Sequence, residues 1–475
     1  MSKPLESRES GLEPALSTRL LMMLAVGQSI GTGLFLGSGL SIRMAGPGVI
    51  FSYIIGAGIT LLVMRALAEM TAEHPTAGSF GTYAEQYLSP FAGWITRYTY
   101  CMAALIAVGG QILAVSIYCR HWFPGVPAWI WIAAFSCAVI GINALSVGNF
   151  GEFEFWFSLA KVGAIVFFVV SGVVLFIGVG AVRHNLEDYT VHGGFLPRGW
   201  GGVWSAVSVA LFSYYGLEAA ALGSGEAREP GSTVPRALHR SLAVVAVLYI
   251  TSLAVLVGVM PWNTAGISES PFVHVFQLIG IPSAGELMNF VVLTAALSSL
   301  NSNLYVTARM LFSLARSGQA PAALGRLHGR GVPVNAVLAS GGGLAIAGAL
   351  QHFFADTAFI YMLDAALFGA MFCWVMIFVT HLRYRPGSAV PKASLAGLVL
   401  LLAVLMTMAF IPEMRNAWIA GVPWLLFISL AYWFFKRRRF RTTTSTPGHQ
   451  DKNRPEDFVP TLLLFTVIGV LAPCW

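Results

Sequence analysis

Two ionisable side chains stand in apolar surroundings that ordinarily exclude them. Lys161 lies within Phe155-Trp-Phe-Ser-Leu-Ala-Lys161-Val-Gly-Ala-Ile165, and Glu218 closes the run Phe212-Ser-Tyr-Tyr-Gly-Leu-Glu218. A charge held deep in a long apolar run is expensive and marks a functional position. Burial penalises the charged form of either side chain, so Lys161 and Glu218 are the candidates for a proton that comes and goes. The competing readings are a lysine that runs along its helix to the membrane surface and a glutamate that bonds nearby backbone. Glu69, Glu73, Arg65 and Arg309 lie near the ends of apolar runs and suit structural or gating charges better than ligands.

A second kind of chemistry comes from backbone. The first apolar run holds glycines at 27, 31 and 33 in Gly27-Gln-Ser-Ile-Gly-Thr-Gly33-Leu-Phe-Leu-Gly37, and the sixth holds Gly216 beside its tyrosines. Each glycine disfavours helix by about 1 kcal/mol relative to alanine. Unwound backbone is tolerated at membrane depth only where it lines a cavity or is buried in protein. The spacing of Gly27 and Gly31 also fits close packing of two helices. Two interruptions five runs apart favour a binding site, because an odd-numbered unit repeated once must insert upside down and place its breaks together. A half-helix starting near Thr32 presents free N–H groups and the positive end of its dipole to a carboxylate. The half-helix before it, and the stretch from Phe212 to Tyr215, present carbonyls to an ammonium group. Both poles in one gap predict a zwitterion, an amino acid, as ligand.

The elements that position these groups follow from composition. Charged residues are 10% of the 475 and AVILMFWYC are 56%, against about 25% charged in a globular protein. So few charges cannot cover a soluble surface, and the continuous apolar runs predict an all-α polytopic membrane protein in a lipid bilayer. Twelve transmembrane helices are expected, at about 20–43, 49–72, 94–123, 129–145, 153–179, 203–224, 241–260, 287–314, 334–352, 359–381, 395–411 and 418–435. The net charge of +7 predicts no nucleic-acid partner, because the basic residues sit between apolar runs. With the amino terminus inside, nearly all Lys and Arg fall on the cytoplasmic side, leaving Arg43, Arg120, Arg183, Arg198 and Arg415 opposite. That asymmetry orients the chain. The expected organisation is a cytoplasmic tail at 1–19, a first repeat at 20–179, a second at 203–381, two further spans at 395–435 and a basic tail at 436–475. Its apolar end, 458–475, is read as interfacial or loosely packed, the alternative being a thirteenth helix. The five cysteines show no metal spacing and are read as small buried apolar residues. No cofactor and no metal are expected.

Six segments in order resemble a known family. They are Gly27-Gln-Ser-Ile-Gly-Thr-Gly33-Leu-Phe-Leu-Gly-Ser38, Arg65-Ala-Leu-Ala-Glu-Met70, Gly78-Ser-Phe-Gly-Thr-Tyr83, Gly151-Glu-Phe-Glu-Phe-Trp156 with Lys161-Val162, Gly225-Glu-Ala-Arg-Glu-Pro230, and Leu300-Asn-Ser-Asn-Leu-Tyr305 with Ala308-Arg-Met310. Over about residues 17–435 the chain resembles bacterial amino acid permeases of the amino acid–polyamine–organocation superfamily, in the branch with the GABA, aromatic and proline permeases. The resemblance implies a five-plus-five inverted repeat of the leucine-transporter type, with spans 1 and 6 broken. It implies that Ser29, Thr32 and Gly33 form a carboxylate-binding turn and that Phe212 closes over the substrate. It also places Lys161 where sodium-coupled cousins hold a cation, which implies proton coupling in a bacterial inner membrane.

The candidate substrate contacts are therefore Ser29, Ile30, Gly31, Thr32, Gly33, Phe212, Ser213 and Tyr215, with Gln111 where several relatives carry an acid. An amide donates and accepts hydrogen bonds but holds no charge, which favours a neutral substrate over a cationic one; the alternative is that Gln111 faces another helix. An exchanger or a solute sensor would use the same fold. An intramembrane enzyme is disfavoured: Gly27-Gln-Ser-Ile-Gly31 spells G-x-S-x-G but lies inside an apolar run, and His184 and His192 fall in an extracellular loop. No Gly-Lys dipeptide exists to build a phosphate loop. Uncharged amino acids are accordingly expected to outcompete lysine and arginine for uptake in a competition assay, and the reverse order would overturn the inference from Gln111.

Overall fold

A computed structural model describes residues 16–443 except 77, 146–149, 177–188, 267–269, 279–281, 329–331, 356 and 385–390. The apolar end at 458–475, Arg183, His184 and Cys474 lie outside the described residues.

Ten helices among the described residues are long and apolar enough to cross a membrane, the stretch Gly37–Glu73 counted once. The shorter apolar Ala128–Ala144 and the interrupted rod beginning at Thr18 complete the twelve spans. Span 1 is α1 (Thr18–Ser29), α2 (Thr32–Phe35) and α3 (Gly37–Ala45). Spans 2 to 5 are α4 (Val49–Glu73), then, after a short α5 (Ser79–Tyr87), α6 (Pro90–Trp122), α7 (Ala128–Leu145) and α8 (Phe150–Phe176). Span 6 is α9 (Gly199–Tyr214) and α10 (Ala219–Leu222), and span 7 is α11 (Pro230–Val259). After a short α12 (Pro271–Leu278), span 8 is α13 (Pro282–Arg316) and span 9 is α14 (Val334–Ser340) with α15 (Gly342–Phe353). Spans 10 to 12 are α16 (Ala358–Tyr384), α17 (Lys392–Phe410) and α18 (Arg415–Thr443).

Local chemistry sets the starts. The Ser17 hydroxyl accepts from Leu20 N (3.4 Å) and the Ser89 hydroxyl from Ala92 N (3.1 Å), ahead of Pro90 at the first turn of α6. These side chains satisfy amides that a helix start leaves unpaired. Pro90 explains why span 3 begins earlier than its apolar run does.

Packing follows the inverted repeat. Mapping spans 1–5 onto 6–10 turns several contacts into others that are present. The contact of α1 with α11 becomes that of α9 with α4, α8 with α13 becomes α16 with α6, and α4 with α16 becomes α11 with α8. Span 7 meets span 2, span 8 meets span 3, and span 6 meets span 1 directly. The outer faces carry exposed apolar side chains such as Trp156, Phe167, Val170 and Phe427, as hydrocarbon contact requires. Cys101, Cys119 and Cys373 are buried as expected, but Cys137 is exposed. Helix α7 is peripheral and buries only the face of Ile132 and Val139, which leaves Cys137 outside.

At the end of the bundle nearest the amino terminus of α1, polar contacts tie elements together. Buried Arg97 donates to Glu85 on α5 and to Gln319 beyond α13 (2.9 Å). Glu69 accepts from Arg65 (3.2 Å) and lies 3.1 Å from Nε2 of buried His381.

The break in span 6 falls later than the sequence suggests. Phe212 and Ser213 lie in the last turn of α9, and the helix gives way at Tyr215 (ψ 138°) and Gly216 (φ +105°). Only glycine adopts that φ readily, and a Cβ there would stand 2.8 Å from Cγ of Gln28 and 3.1 Å from the amide nitrogen of Ser29. Gly216→Ala is therefore expected to cost about 1–3 kcal/mol, read as a lower unfolding midpoint in detergent; an unchanged midpoint would show that the crossing of the two breaks yields without cost.

Candidate functional site

The first rod opens because Ile30 (ψ 89°) and Gly31 (φ −146°, ψ −145°) leave the helical region before Thr32 restarts it. Each freed carbonyl is met by a side chain from another span. The Gly27 carbonyl accepts from Nζ of Lys161 (2.5 Å), and the Ser29 carbonyl accepts from the Tyr249 hydroxyl (2.9 Å). Oγ of Ser299 stands 3.0 Å from the carbonyls of both Gly27 and Ile30, and accepts from Lys161 at 3.3 Å. On the amide side, Thr32 N donates to Oε1 of Gln111 (3.4 Å). The amides of Gly31, Gly33 and Leu34 have no hydrogen-bond partner among the described residues. Unpaired amides buried in a bundle are unusual, and clustered at a helix start they favour an anion.

The second rod brings the matching edge. The Tyr249 hydroxyl also reaches the Ser213 carbonyl (3.1 Å), so one side chain joins both breaks. Ser213 Oγ donates to the Val209 carbonyl (3.1 Å) and lies 2.9 Å from the Tyr53 hydroxyl. Phe212 stacks on Tyr215 (6.2 Å, 14° between planes). A Cβ at Gly33 would lie 3.0 Å from Cα of Ser213 and 3.4 Å from Cδ1 of Phe212, so the rods touch there. Ser29, Thr32, Gln111, Phe212, Ser213 and Tyr215 are all buried, and the gap is closed. A cavity of about 900 Å³, lined by Arg43, Arg198, Ser205, Tyr361 and Asn416 among others, lies at the end of the bundle that carries Arg43.

The residues singled out by sequence divide into two groups. Ser29, Ile30, Gly31, Thr32, Gly33, Gln111, Phe212, Ser213 and Tyr215 gather around the paired breaks. Lys161 is 2% exposed and does not run to a surface; it meets span 1 at Gly27, from the side of α8. Glu218 folds back on its own turn, where Oε2 accepts from Gly216 N (3.1 Å) and Oε1 from the Tyr100 hydroxyl (3.5 Å). Its side chain closes the second break rather than facing Lys161.

Other residues around the breaks are visible only in three dimensions. Tyr249 sits in an unbroken apolar run that gives no hint of its double contact. Asn303 accepts from Nε2 of Gln28 (3.2 Å) and donates to the Ser299 carbonyl (2.8 Å), so the Leu300-Asn-Ser-Asn segment buttresses span 1. Glu154 is buried and accepts from Ser298 (2.6 Å). The signal that could have found it is its spacing: seven residues before Lys161 is two helical turns on one face.

The profile of the amino acid permease family matches residues 21–445. The chain is 36% identical over 445 residues to an uncharacterized amino acid permease, YtnA, of Bacillus subtilis (strain 168), covering 90% of this chain and 96% of that protein. It is 35% identical over 445 residues to the aromatic amino acid transport protein AroP of Escherichia coli (strain K12), covering 90% and 97%. It is 34% identical over 446 residues to the gamma-aminobutyric acid permease of Bacillus subtilis (strain 168), covering 91% and 95%.

Tyr249→Phe removes the one hydroxyl that serves carbonyls of both rods. Leaving either carbonyl unpaired costs about 1–3 kcal/mol, so the variant is expected to unfold at lower temperature in detergent, and a midpoint equal to that of the parent would mean the contact is dispensable.

Proposed function

We propose a transport cycle from one premise: the chain belongs to the amino acid permease family. It carries an amino acid across the membrane by exposing the gap between the broken rods to each side in turn. The apposed breaks carry this reading. The unpaired amides of Gly31, Gly33 and Leu34 receive the substrate carboxylate, with the Ser29 and Thr32 hydroxyls beside them. A carbonyl oxygen has two lone pairs, so the Ser213 carbonyl, bound by one hydroxyl, retains a site for the ammonium group. Phe212, stacked on Tyr215, closes over the bound molecule.

The substrate is neutral overall rather than cationic. Gln111 offers an amide where a cationic side chain would need a carboxylate, and relatives named for aromatic amino acids and for gamma-aminobutyric acid handle molecules without net positive charge. The amino terminus faces the cytoplasm of a bacterium, because lysine and arginine concentrate on that side of the inner membrane. The cavity lined by Arg43 and Arg198 is then the outer approach.

Transport is coupled to a proton held by Lys161. As an ammonium, Lys161 has three donors and grips the Gly27 carbonyl and Ser299. Loss of the proton removes a charge and a donor from this contact, which loosens α1 from α8 and α13. Protonation and the position of the first half-helix are thereby linked, and glycine backbone takes the place of a side-chain counter-ion.

Proteoliposomes loaded at alkaline pH and diluted into acidic medium are expected to accumulate neutral amino acids; equilibration without accumulation would sink the coupling. Lys161→Ala is expected to leave counterflow of preloaded substrate in place while abolishing accumulation driven by the pH gradient. An unaltered response to the gradient would remove Lys161 from the mechanism.

A further inference from the structure

Helix α8 carries a second ionisable group that the coupling mechanism above leaves unused. Glu154 is 1% exposed, and its Oε2 has no hydrogen-bond partner among the described residues. Its Oε1 accepts from Ser298 (2.6 Å) and lies 3.4 Å from the Ser158 hydroxyl, which itself donates to the Met23 carbonyl (2.9 Å). Two turns along the same face, Lys161 donates to Ser299, the next residue of α13. Adjacent serines of one helix therefore hold the carboxyl and the ammonium of another. Gly27 completes the arrangement. Its carbonyl accepts from Lys161, and a Cβ on its other side would collide with Oε1 of Glu154 and Oγ of Ser158.

The two groups form no ion pair within 4 Å. Seven residues set their Cα atoms about 10 Å apart along the helix axis, with Glu154 nearer the end of the bundle where α1 begins, and both side chains reach Gly27 between them. A separated buried ammonium and carboxylate are costly unless compensated, and hydroxyls of Ser158, Ser298 and Ser299 line the space between. Few other charges face Glu154. From α1, Arg19 lies over the neighbouring Phe155 ring (3.8 Å). Helix α13 offers the hydroxyls of Ser298 and, one turn on, Ser302. Helix α11 meets α8 at Gly172 and Val255, far along the rod.

We propose that Glu154 is the proton station between Lys161 and the amino-terminal face, rather than a structural carboxylate. This rests on the reading that Lys161 holds the coupling proton. When substrate leaves toward that face, the Lys161 ammonium gives up one proton and becomes an amine. The Glu154 carboxylate takes that proton through the intervening hydroxyls and becomes a carboxylic acid. No net charge moves into or out of the pair in this step, because an ammonium and a carboxylate become an amine and an acid. Release of the proton to water at the amino-terminal face restores the carboxylate. The hydroxyls reach Oε1, and a turn of the carboxyl carries the proton to the side of the unpartnered Oε2, from which it is passed on.

The test compares the parent with Glu154→Gln and Glu154→Asp in proteoliposomes, using a labelled mixture of the protein amino acids and a trapped pH-sensitive dye. Glu154→Gln keeps the shape and an acceptor for Ser298 but cannot cycle a proton. It is expected to retain counterflow, to lose substrate-dependent proton flux by roughly a hundredfold, and to lose accumulation driven by the gradient; Glu154→Asp is expected to restore both in part. If the parent is coupled and Glu154→Gln remains equally coupled, the station is overturned and the role of Lys161 stands. If Glu154→Gln loses counterflow together with coupling, Glu154 is structural and the proposal fails. If the parent itself shows no substrate-dependent proton flux, the coupling reading falls and this inference with it.

Discussion

A peptide group without a partner has no water to turn to inside hydrocarbon, and this structure is organised around that constraint. Interrupting span 1 at Ile30 and Gly31 frees several carbonyls and amides at once. The carbonyls are taken up by Lys161, Tyr249 and Ser299, which arrive from spans 5, 7 and 8. The amides are treated differently: one meets Gln111, and its neighbours are left open. Satisfying one pole of the break while leaving the other available gives the proposed carboxylate site its open amides. The surrounding helices are arranged to deliver those few polar atoms, and their inverted packing puts the second break against the first.

Much of this was legible in the residues, for a physical reason. Membrane spans announce themselves by length and apolarity, and the positions of the glycines at 27, 31, 33 and 216 mark where helical bonding fails. Lys161 stood out because a charge in such company must be compensated. What escaped was whatever depends on the partner of a side chain. The run from Phe212 to Tyr215 reads as the interruption, yet α9 continues to Tyr214, because the element that cannot stay helical is Gly216 with its positive φ. Tyr249 looks like any aromatic residue in an apolar helix until two carbonyls are found at its hydroxyl. Glu218 reads either as a group that cycles a proton or as one that bonds nearby backbone, and only the fold shows its carboxylate accepting from Gly216 N and the Tyr100 hydroxyl. The short α5 and α12 were hidden between spans, where amphipathic turns resemble loops.

The family assignment and the geometry support each other at different levels. Similarity over most of the chain establishes the class of protein and its architecture. The proposed chemistry of the cycle rests on open amides, a glutamine amide at Thr32 and a lysine gripping glycine backbone. In the proposed cycle the two sides of one break answer to different partners, Gly31 to Leu34 to the substrate and Gly27, near the end of α1, to the proton. A single turn of backbone is short enough for occupancy at one end to be felt at the other.

Tyr249 carries a mechanical implication. Its hydroxyl is pinned between the midpoints of both interrupted rods, so in the proposed cycle spans 1 and 6 would pivot as one rocker with α11 as its spine. The bonds from α8 and α13 to Gly27 and Ile30 lie instead along a seam between that rocker and the rest of the barrel-shaped bundle. Swinging the rocker in that cycle would shear this seam and leave the Tyr249 joint whole.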